Sequence, residues 1–106
     1  MGKVYFITDC ENIKIGFTKL DVEKRLNQLQ TGCVKKLFIL GYITGTMQDE
    51  KMLHNMFGSS RLRYNGEWFK PTQNLLDYIN NYNEVPNCYV DYLDGQVMSF
   101  FNISMV

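Results

Sequence analysis

Two short segments at the N-terminus, each with the composition of a β-strand, constrain the fold most strongly. Residues 3–8 are mainly β-branched and aromatic, and residues 13–18 alternate large apolar residues with polar or small ones. Residues 9–12 between them are turn formers. Period-two alternation after a short polar turn is typical of an antiparallel hairpin with one buried face. The sequence therefore predicts that the chain begins with a half-buried β-hairpin.

Helix and strand patterns alternate after this hairpin. Asp21 is placed to cap the first helix, and residues 46–49 resemble a capping box with Asp at the N3 position, which opens the second. The predicted elements are strands over residues 3–8, 13–18 and 37–44 and helices over residues 22–30, 47–57 and 71–82. The order β-β-α-β-α-α predicts an α+β fold in which helices flank a small antiparallel three-stranded sheet.

The C-terminal part of the chain carries a separate signal. Asp94 and Gly95 lie between two apolar segments, which is a strong pattern for a β-hairpin. We therefore divide the chain into a domain over residues 1–83 and a hairpin extension over residues 84–106. The extension has more apolar side chains than one sheet face needs, so it either covers a sheet edge or pairs with a second copy in a homodimer.

Length and composition limit the class of protein. A chain of 106 residues can form one domain, and no apolar stretch is long enough to span a bilayer. Its three cysteines have no C-x-x-C spacing, so they predict neither a disulfide framework nor a zinc site and suit a reducing compartment. We expect an intracellular protein that does not insert into membranes.

The net charge is zero, but the charges are unevenly distributed. Residues 1–70 hold all 11 Lys and Arg with seven acids, whereas residues 71–106 hold four acids and no base. This split either lets one part of the chain face a polyanion or is small-number scatter, and the charges alone do not separate the two.

An ordered set of short motifs runs through the first domain. Residues 3–5 read Lys-Val-Tyr, residues 14–16 read Lys-Ile-Gly, Arg25 lies on the first predicted helix, and Glu50 lies near the start of the second. This set resembles the GIY-YIG endonuclease superfamily, in which two hairpin tripeptides, a helix arginine and a helix glutamate build one site. Val for Ile and Lys for Gly in the first tripeptide are departures that leave the chemistry unchanged.

Later residues narrow the resemblance to the phage and large-virus branch, which has Lys-Ile-Gly in place of Tyr-Ile-Gly. In that branch an acid is followed four residues on by histidine and then by Glu-Trp-Phe. Here these are Glu50, His54 and residues 67–69. The resemblance covers residues 3–80 and implies a metal-dependent DNA endonuclease that leaves a 5′-phosphate and a 3′-hydroxyl, acting in the cytoplasm or in the nucleus or viral factory of a host cell.

The residues themselves suit phosphodiester hydrolysis. A carboxylate such as Glu50 can hold Mg²⁺ or Mn²⁺, and Arg25 offers a planar fork for phosphate oxygens. The resemblance implies that Tyr5 acts as base or relay for the attacking water. Each of these residues also has a plainer alternative. Glu50 can be an acid favoured by the helix dipole, Arg25 a solvated surface arginine, and Tyr5 a buried core tyrosine.

Two further candidates are less clear from sequence. Lys14 replaces a tyrosine of the wider superfamily, so it can contact phosphate or act as a base, but it cannot relay a proton as a hydroxyl does. His54 lies one turn after Glu50 and is either a proton carrier, a partner of Glu50, or a boundary histidine with a structural hydrogen bond. In the Glu-Trp-Phe segment, Trp68 and Phe69 are expected core anchors and Glu67 an acid that orders a loop.

Basic side chains outside this set are candidates for binding the nucleic-acid backbone. They are Lys35, Lys36, Arg61, Arg63 and Lys70. We expect no appended recognition module on a domain this small and therefore expect weak sequence specificity. Two alternatives to the enzyme remain open: a DNA-binding module of the same fold without turnover, and an interaction protein that uses the C-terminal hairpin.

Overall fold

The computed structural model describes residues 2–62 and 66–84, and within them the chain forms an α+β fold. The elements in chain order are β1 (Gly2–Thr8), β2 (Ile13–Thr18), α1 (Val22–Thr31), β3 (Phe38–Gly45), α2 (Met47–Met56), β4 (Trp68–Phe69) and α3 (Gln73–Tyr82). One 3₁₀ turn, Gly58–Ser60, follows α2. No helix in these two ranges is long and apolar enough to cross a membrane.

The strands form one antiparallel sheet in the order β3-β1-β2-β4. The predicted hairpin is confirmed, since β1 pairs with β2 from Lys3 opposite Thr18 to Thr8 opposite Ile13. The sheet has four strands rather than the three expected, because Trp68 pairs with Lys14 and extends the sheet beyond β2. The sequence indicates a short extended piece over residues 67–69, but a pattern this short does not predict which strand it pairs with.

The hairpin turn is held by side-chain hydrogen bonds. Asp9 Oδ1 accepts from the backbone N–H groups of Glu11 and Asn12, both at 2.9 Å. The Thr8 hydroxyl donates to the Asn12 carbonyl at 2.7 Å. Cys10 takes a positive φ of 75° in this turn, a conformation that costs energy in a residue with a Cβ. These local bonds offset that cost and fix the register of β1 against β2.

Alternate residues of the strands bury two apolar clusters, one on each face of the sheet. Val4 and Phe6 pack with Leu53 of α2 and Leu75 of α3. Tyr5 and its neighbours on the opposite face pack with α1, and the buried members of that cluster are Tyr5, Ile7, Val22, Leu37 and Ile39. Helix α1 therefore covers one face, and α2 and α3 cover the other.

The helix starts differ in how they are capped. Thr46 and Asp49 form the predicted capping box at α2, with the Thr46 N–H donating to Asp49 Oδ2 at 2.8 Å. Helix α3 begins one residue after Thr72, whose hydroxyl accepts from the Leu75 N–H. Asp21 occupies the N-cap position of α1 as expected, but its side chain makes no cap hydrogen bond. The predicted C-terminal hairpin and the homodimer it suggested lie outside the described residues.

Candidate active site

The centre of the site is a direct pairing between β1 and β2. Tyr5 lies opposite Gly16 in the hairpin register, and the Tyr5 side chain is 1% exposed. A Cβ built on Gly16 would overlap the Cζ and hydroxyl oxygen of Tyr5. The phenol therefore lies directly against the glycine backbone, and any larger residue at position 16 would displace it. This contact gives a physical reason for the glycine of the Lys-Ile-Gly tripeptide.

Arg25 of α1 lies beside this phenol. Val22 is buried, and Leu26 and Leu29 are partly buried against the sheet, so α1 presents this face toward Tyr5. One Arg25 Nη1–H donates to Gln28 Oε1 at 3.1 Å. The Arg25 Nε is buried and has no hydrogen-bond partner in the part of the chain that the structure describes. A buried guanidinium N–H without an acceptor is costly, and a phosphate oxygen would satisfy it.

The protonation of Tyr5 follows from its surroundings. Burial raises the pKa of the Tyr5 hydroxyl, and the negative charges of Glu67 and Glu50 raise it further. The neighbouring Arg25 guanidinium lowers this pKa, but not enough to reverse the shift. Tyr5 is therefore a neutral phenol at physiological pH, able to donate and accept hydrogen bonds.

Lys14 lies two residues before Gly16 in β2 and therefore projects to the same face of the sheet. Its side chain is 15% exposed, and its Nζ lies 3.2 Å from Glu67 Oε1. The same Nζ lies 5.7 Å from the centre of the Trp68 ring. The ammonium is thus held between a carboxylate and an indole, both carried by the segment that forms β4.

Glu50 reaches the site from the first turn of α2. Burial raises the pKa of its carboxyl, and the charge of Glu67 raises it further, whereas the charges of Lys14 and Lys51 lower it. The charges of Glu67 and Lys14 both act on the Glu50 carboxyl, so these three side chains lie near one another at the start of α2. The capping box at Thr46 fixes where this helix begins and hence where Glu50 lies.

Behind the site, the buried His54 is paired with the half-buried Arg61. The His54 Nε2 lies 2.8 Å from the Ile15 carbonyl oxygen, and Arg61 Nη2 lies 3.2 Å from His54 Nδ1. A guanidinium only donates, so Nδ1 must accept and Nε2–H donates to Ile15. Arg61 Nε–H also donates to the Gly66 carbonyl at 2.6 Å. Both ring nitrogens of His54 are therefore used in linking α2, β2 and the segment before β4.

The candidate residues fall into two groups by position. Tyr5, Lys14, Arg25 and Glu50 come together at the site.

The candidates for binding nucleic acid are placed differently from one another. Lys35 is paired with Glu11 at the hairpin turn, and the guanidinium of Arg61 points inward. Lys36 and Lys70 are exposed, whereas Arg63 lies outside the described residues.

Glu67 is the site residue whose position was not foreseen. The sequence indicates an acid that orders a loop, whereas the structure places its carboxylate on Lys14 and close enough to act on both Glu50 and Tyr5. The available signal was its place directly before Trp68, since pairing of that short segment with β2 sets Glu67 beside Lys14.

The carboxylates of the site suit a hydrated divalent cation. Burial and the nearby charge of Glu67 disfavour the ionised form of Glu50, as its raised pKa indicates, and a bound cation would offset this cost. Mg²⁺ is typically held by one or two carboxylates, with water and substrate phosphate oxygens completing its ligands. Residues 2–62 and 66–84 contain no group of three or more His, Cys, Asp or Glu placed to hold a metal. Glu50, with Glu67 nearby, supplies the one or two carboxylates that such a cation takes from a protein.

Comparison with known proteins identifies the family of this chain. The family model of the T5orf172 domain matches residues 2–89, which is most of the chain. No curated protein and no solved structure matches the chain. The chain therefore belongs to the T5orf172 domain family, a GIY-YIG-related family of nuclease domains.

Proposed function

We propose that this chain is a metal-dependent endonuclease that hydrolyses phosphodiester bonds in DNA. One observation supports the proposal: a phenol, an ammonium, a guanidinium and a carboxylate from four separate elements lie close enough for their charges to act on one another. These side chains are Tyr5, Lys14, Arg25 and Glu50. Membership of a nuclease family supports the same conclusion and gives DNA as the substrate.

The reaction requires attack by water on phosphorus, with a new P–O bond formed and the bond to the 3′ oxygen broken. Negative charge builds up on the phosphoryl oxygens as this occurs. Preorganised cations that face those oxygens lower the barrier. Arg25 supplies a guanidinium whose buried Nε–H has no protein acceptor within the described residues. Lys14 supplies an ammonium on the same sheet face.

Tyr5 is the candidate for orienting the attacking water. Its hydroxyl is protonated at neutral pH, and burial raises its pKa further. In the proposed relay, Oη takes up a proton from the attacking water while its own proton passes to a phosphoryl oxygen of the substrate, so the phenol remains neutral. This role differs from that of a phenolate base, which the raised pKa disfavours. Contact with Gly16 prevents the ring from moving away from that position.

Glu50 is the candidate ligand for Mg²⁺ or Mn²⁺. The metal, when bound, supplies Lewis-acid stabilisation of the phosphoryl oxygens. The part played by the chain is to present one carboxylate at a fixed position, which the capping box at Thr46 and Asp49 provides.

DNA binding outside the site would rest on backbone contacts. Lys36 and Lys70 are exposed and have no ion-pair partner among the residues that the structure describes. Contacts of this kind carry no sequence information. We therefore propose weak intrinsic sequence specificity.

A plasmid-nicking assay tests the proposal. The purified chain should nick supercoiled plasmid with Mg²⁺ or Mn²⁺ but not with EDTA, and Glu50→Gln should abolish nicking while retaining DNA binding. Asp21→Asn is the matched control, since it removes an exposed acid at a helix start with no cap hydrogen bond.

The same assay separates the alternatives. DNA binding without cutting of duplex, single-stranded or branched DNA would indicate a binding module. If neither Arg25→Ala nor Glu50→Ala changed DNA binding or cleavage, the interaction-protein alternative would stand in its place.

A further inference from the structure

Lys14 is held from two sides by residues of one short segment. Glu67 Oε1 lies 3.2 Å from the Lys14 Nζ, and the Trp68 ring centre lies 5.7 Å from the same atom. The Lys14 side chain is 15% exposed, whereas that of Glu67 is 42% exposed. A lysine ends in a mobile point charge on a four-carbon chain and gains a fixed direction only from such partners.

The backbone makes the position of Glu67 a property of the sheet. Lys14 is paired with Trp68, and at the next residue of β2 the Ile15 N–H donates to the Glu67 carbonyl at 2.9 Å. Glu67 is therefore attached to the edge of β2 at the residue between Lys14 and Gly16.

A closed set of hydrogen bonds supports the segment from behind. Arg61 donates to the Gly66 carbonyl and to His54, and His54 donates to the Ile15 carbonyl. The residue before Glu67 is thus linked back to the same strand that carries Lys14. This bonding leaves Glu67 little freedom relative to Lys14.

We propose that Glu67 is a positioning residue that holds the Lys14 ammonium where the scissile phosphate binds. The inference rests on the proposed nuclease function and deepens it. It assigns the acid of the Glu-Trp-Phe segment a role that acts through Lys14. The competing assignment, a second carboxylate that binds the metal directly, is separated by the test below.

The experiment is a double-mutant cycle on Glu67 and Lys14. Cleavage is measured in a single turnover with saturating protein for the parent chain, Glu67→Gln, Lys14→Gln and the double variant. Glu67→Gln should slow cleavage by about 100-fold, the size of effect that misplacing a reacting group produces. Its Kd for DNA should change by less than about fivefold, because one half-exposed ion pair contributes little to binding. The double variant should cut no more slowly than Lys14→Gln.

Two controls make the result specific. Glu67→Asp keeps the charge and should recover most of the lost rate. Glu11→Gln breaks the other lysine–glutamate pair, at the hairpin turn, and should cut at the parental rate. Cleavage by Glu67→Gln at the parental rate would overturn the inference. An equal slowing by Glu67→Gln in the parent and in Lys14→Gln would also overturn it, because Glu67 would then act independently of Lys14. A rise in the metal concentration needed for half-maximal cleavage would overturn it too, because it would point to direct metal binding by Glu67.

A second readout keeps the inference testable if the parent chain does not cut DNA. The two ε-methylene protons of Lys14 should have distinct NMR shifts in the parent, with the signals assigned by their loss in Lys14→Gln. In Glu67→Gln these shifts should merge as the side chain becomes mobile. Unchanged shifts would refute the positioning role independently of the nuclease proposal.

Discussion

The hydroxyl of Tyr5 lies so close to its paired residue Gly16 that a Cβ at position 16 would overlap it. Gly16→Ala should therefore displace the phenol and destabilise the fold by about 1–3 kcal/mol, as overpacking of a core does. It should also abolish the proposed cleavage. Urea unfolding and the nicking assay measure the two effects.

Gly32→Ala is the matched control for this substitution. A Cβ there meets no atom within 4 Å, and the φ of −101° suits any residue. We expect a change in stability of less than about 1 kcal/mol, with either no effect or a small gain. Equal destabilisation by the two substitutions would show that the contact with Tyr5 is unimportant.

Glu50→Gln should make the metal-free protein more stable at neutral pH. Burial and the charge of Glu67 raise the pKa of Glu50, so the ionised form is less favourable in the folded state than in the unfolded chain. This penalty is present at neutral pH and disappears below about pH 4, where the carboxyl is protonated in both states. Thermal unfolding in EDTA at pH 7 and pH 3.5 should show a higher Tm for the variant only at pH 7.

Glu84 should contribute to stability with the opposite dependence on pH. Its carboxylate accepts from the Thr44 N–H at 2.6 Å and the Thr44 hydroxyl at 2.9 Å, and these bonds lower its pKa. The contribution is therefore complete above the unfolded pKa, at about pH 4, and is lost as the pH falls through the lower folded pKa. Glu84→Gln should destabilise the protein at pH 7 but not at pH 2.5. An equal difference at both pH values would contradict this.

The caps of α1 and α2 should differ in energy. Thr46→Ala removes half of a capping box and should cost about 1 kcal/mol. Asp21→Ala should cost less than about 0.5 kcal/mol, since its side chain makes no cap hydrogen bond. Urea unfolding of the two variants tests the difference, and equal costs would show that Asp21 caps α1 in solution.

The basic residues should separate into two classes. Lys36→Ala and Lys70→Ala should each lower the slope of log K for DNA against log salt by about 1, as loss of one phosphate contact does. Arg61→Ala should leave that slope unchanged and instead cost about 1–3 kcal/mol of stability, because the Gly66 carbonyl and His54 lose their donor. A reduced slope for Arg61→Ala with full stability would mean that this side chain contacts DNA.

Local sequence determined much of the fold. The alternation in residues 13–18 gave the hairpin and its buried face, and residues 46–49 gave the start of α2, because each pattern reflects a backbone period or cap formed by neighbouring residues. The same patterns put Tyr5 and Lys14 on paired strands. The order of motifs then indicated the residues that the structure brings together.

Only the tertiary structure decided which distant groups meet. The bond between Lys14 and Glu67 depends on a two-residue strand that pairs with the edge of β2, and the inward position of Arg61 depends on a buried acceptor on His54. The absence of a side-chain cap hydrogen bond from Asp21 likewise depends on the path of the chain into α1. A periodic pattern records which face of an element is buried, but it does not record which side chain of a distant segment lies against that face.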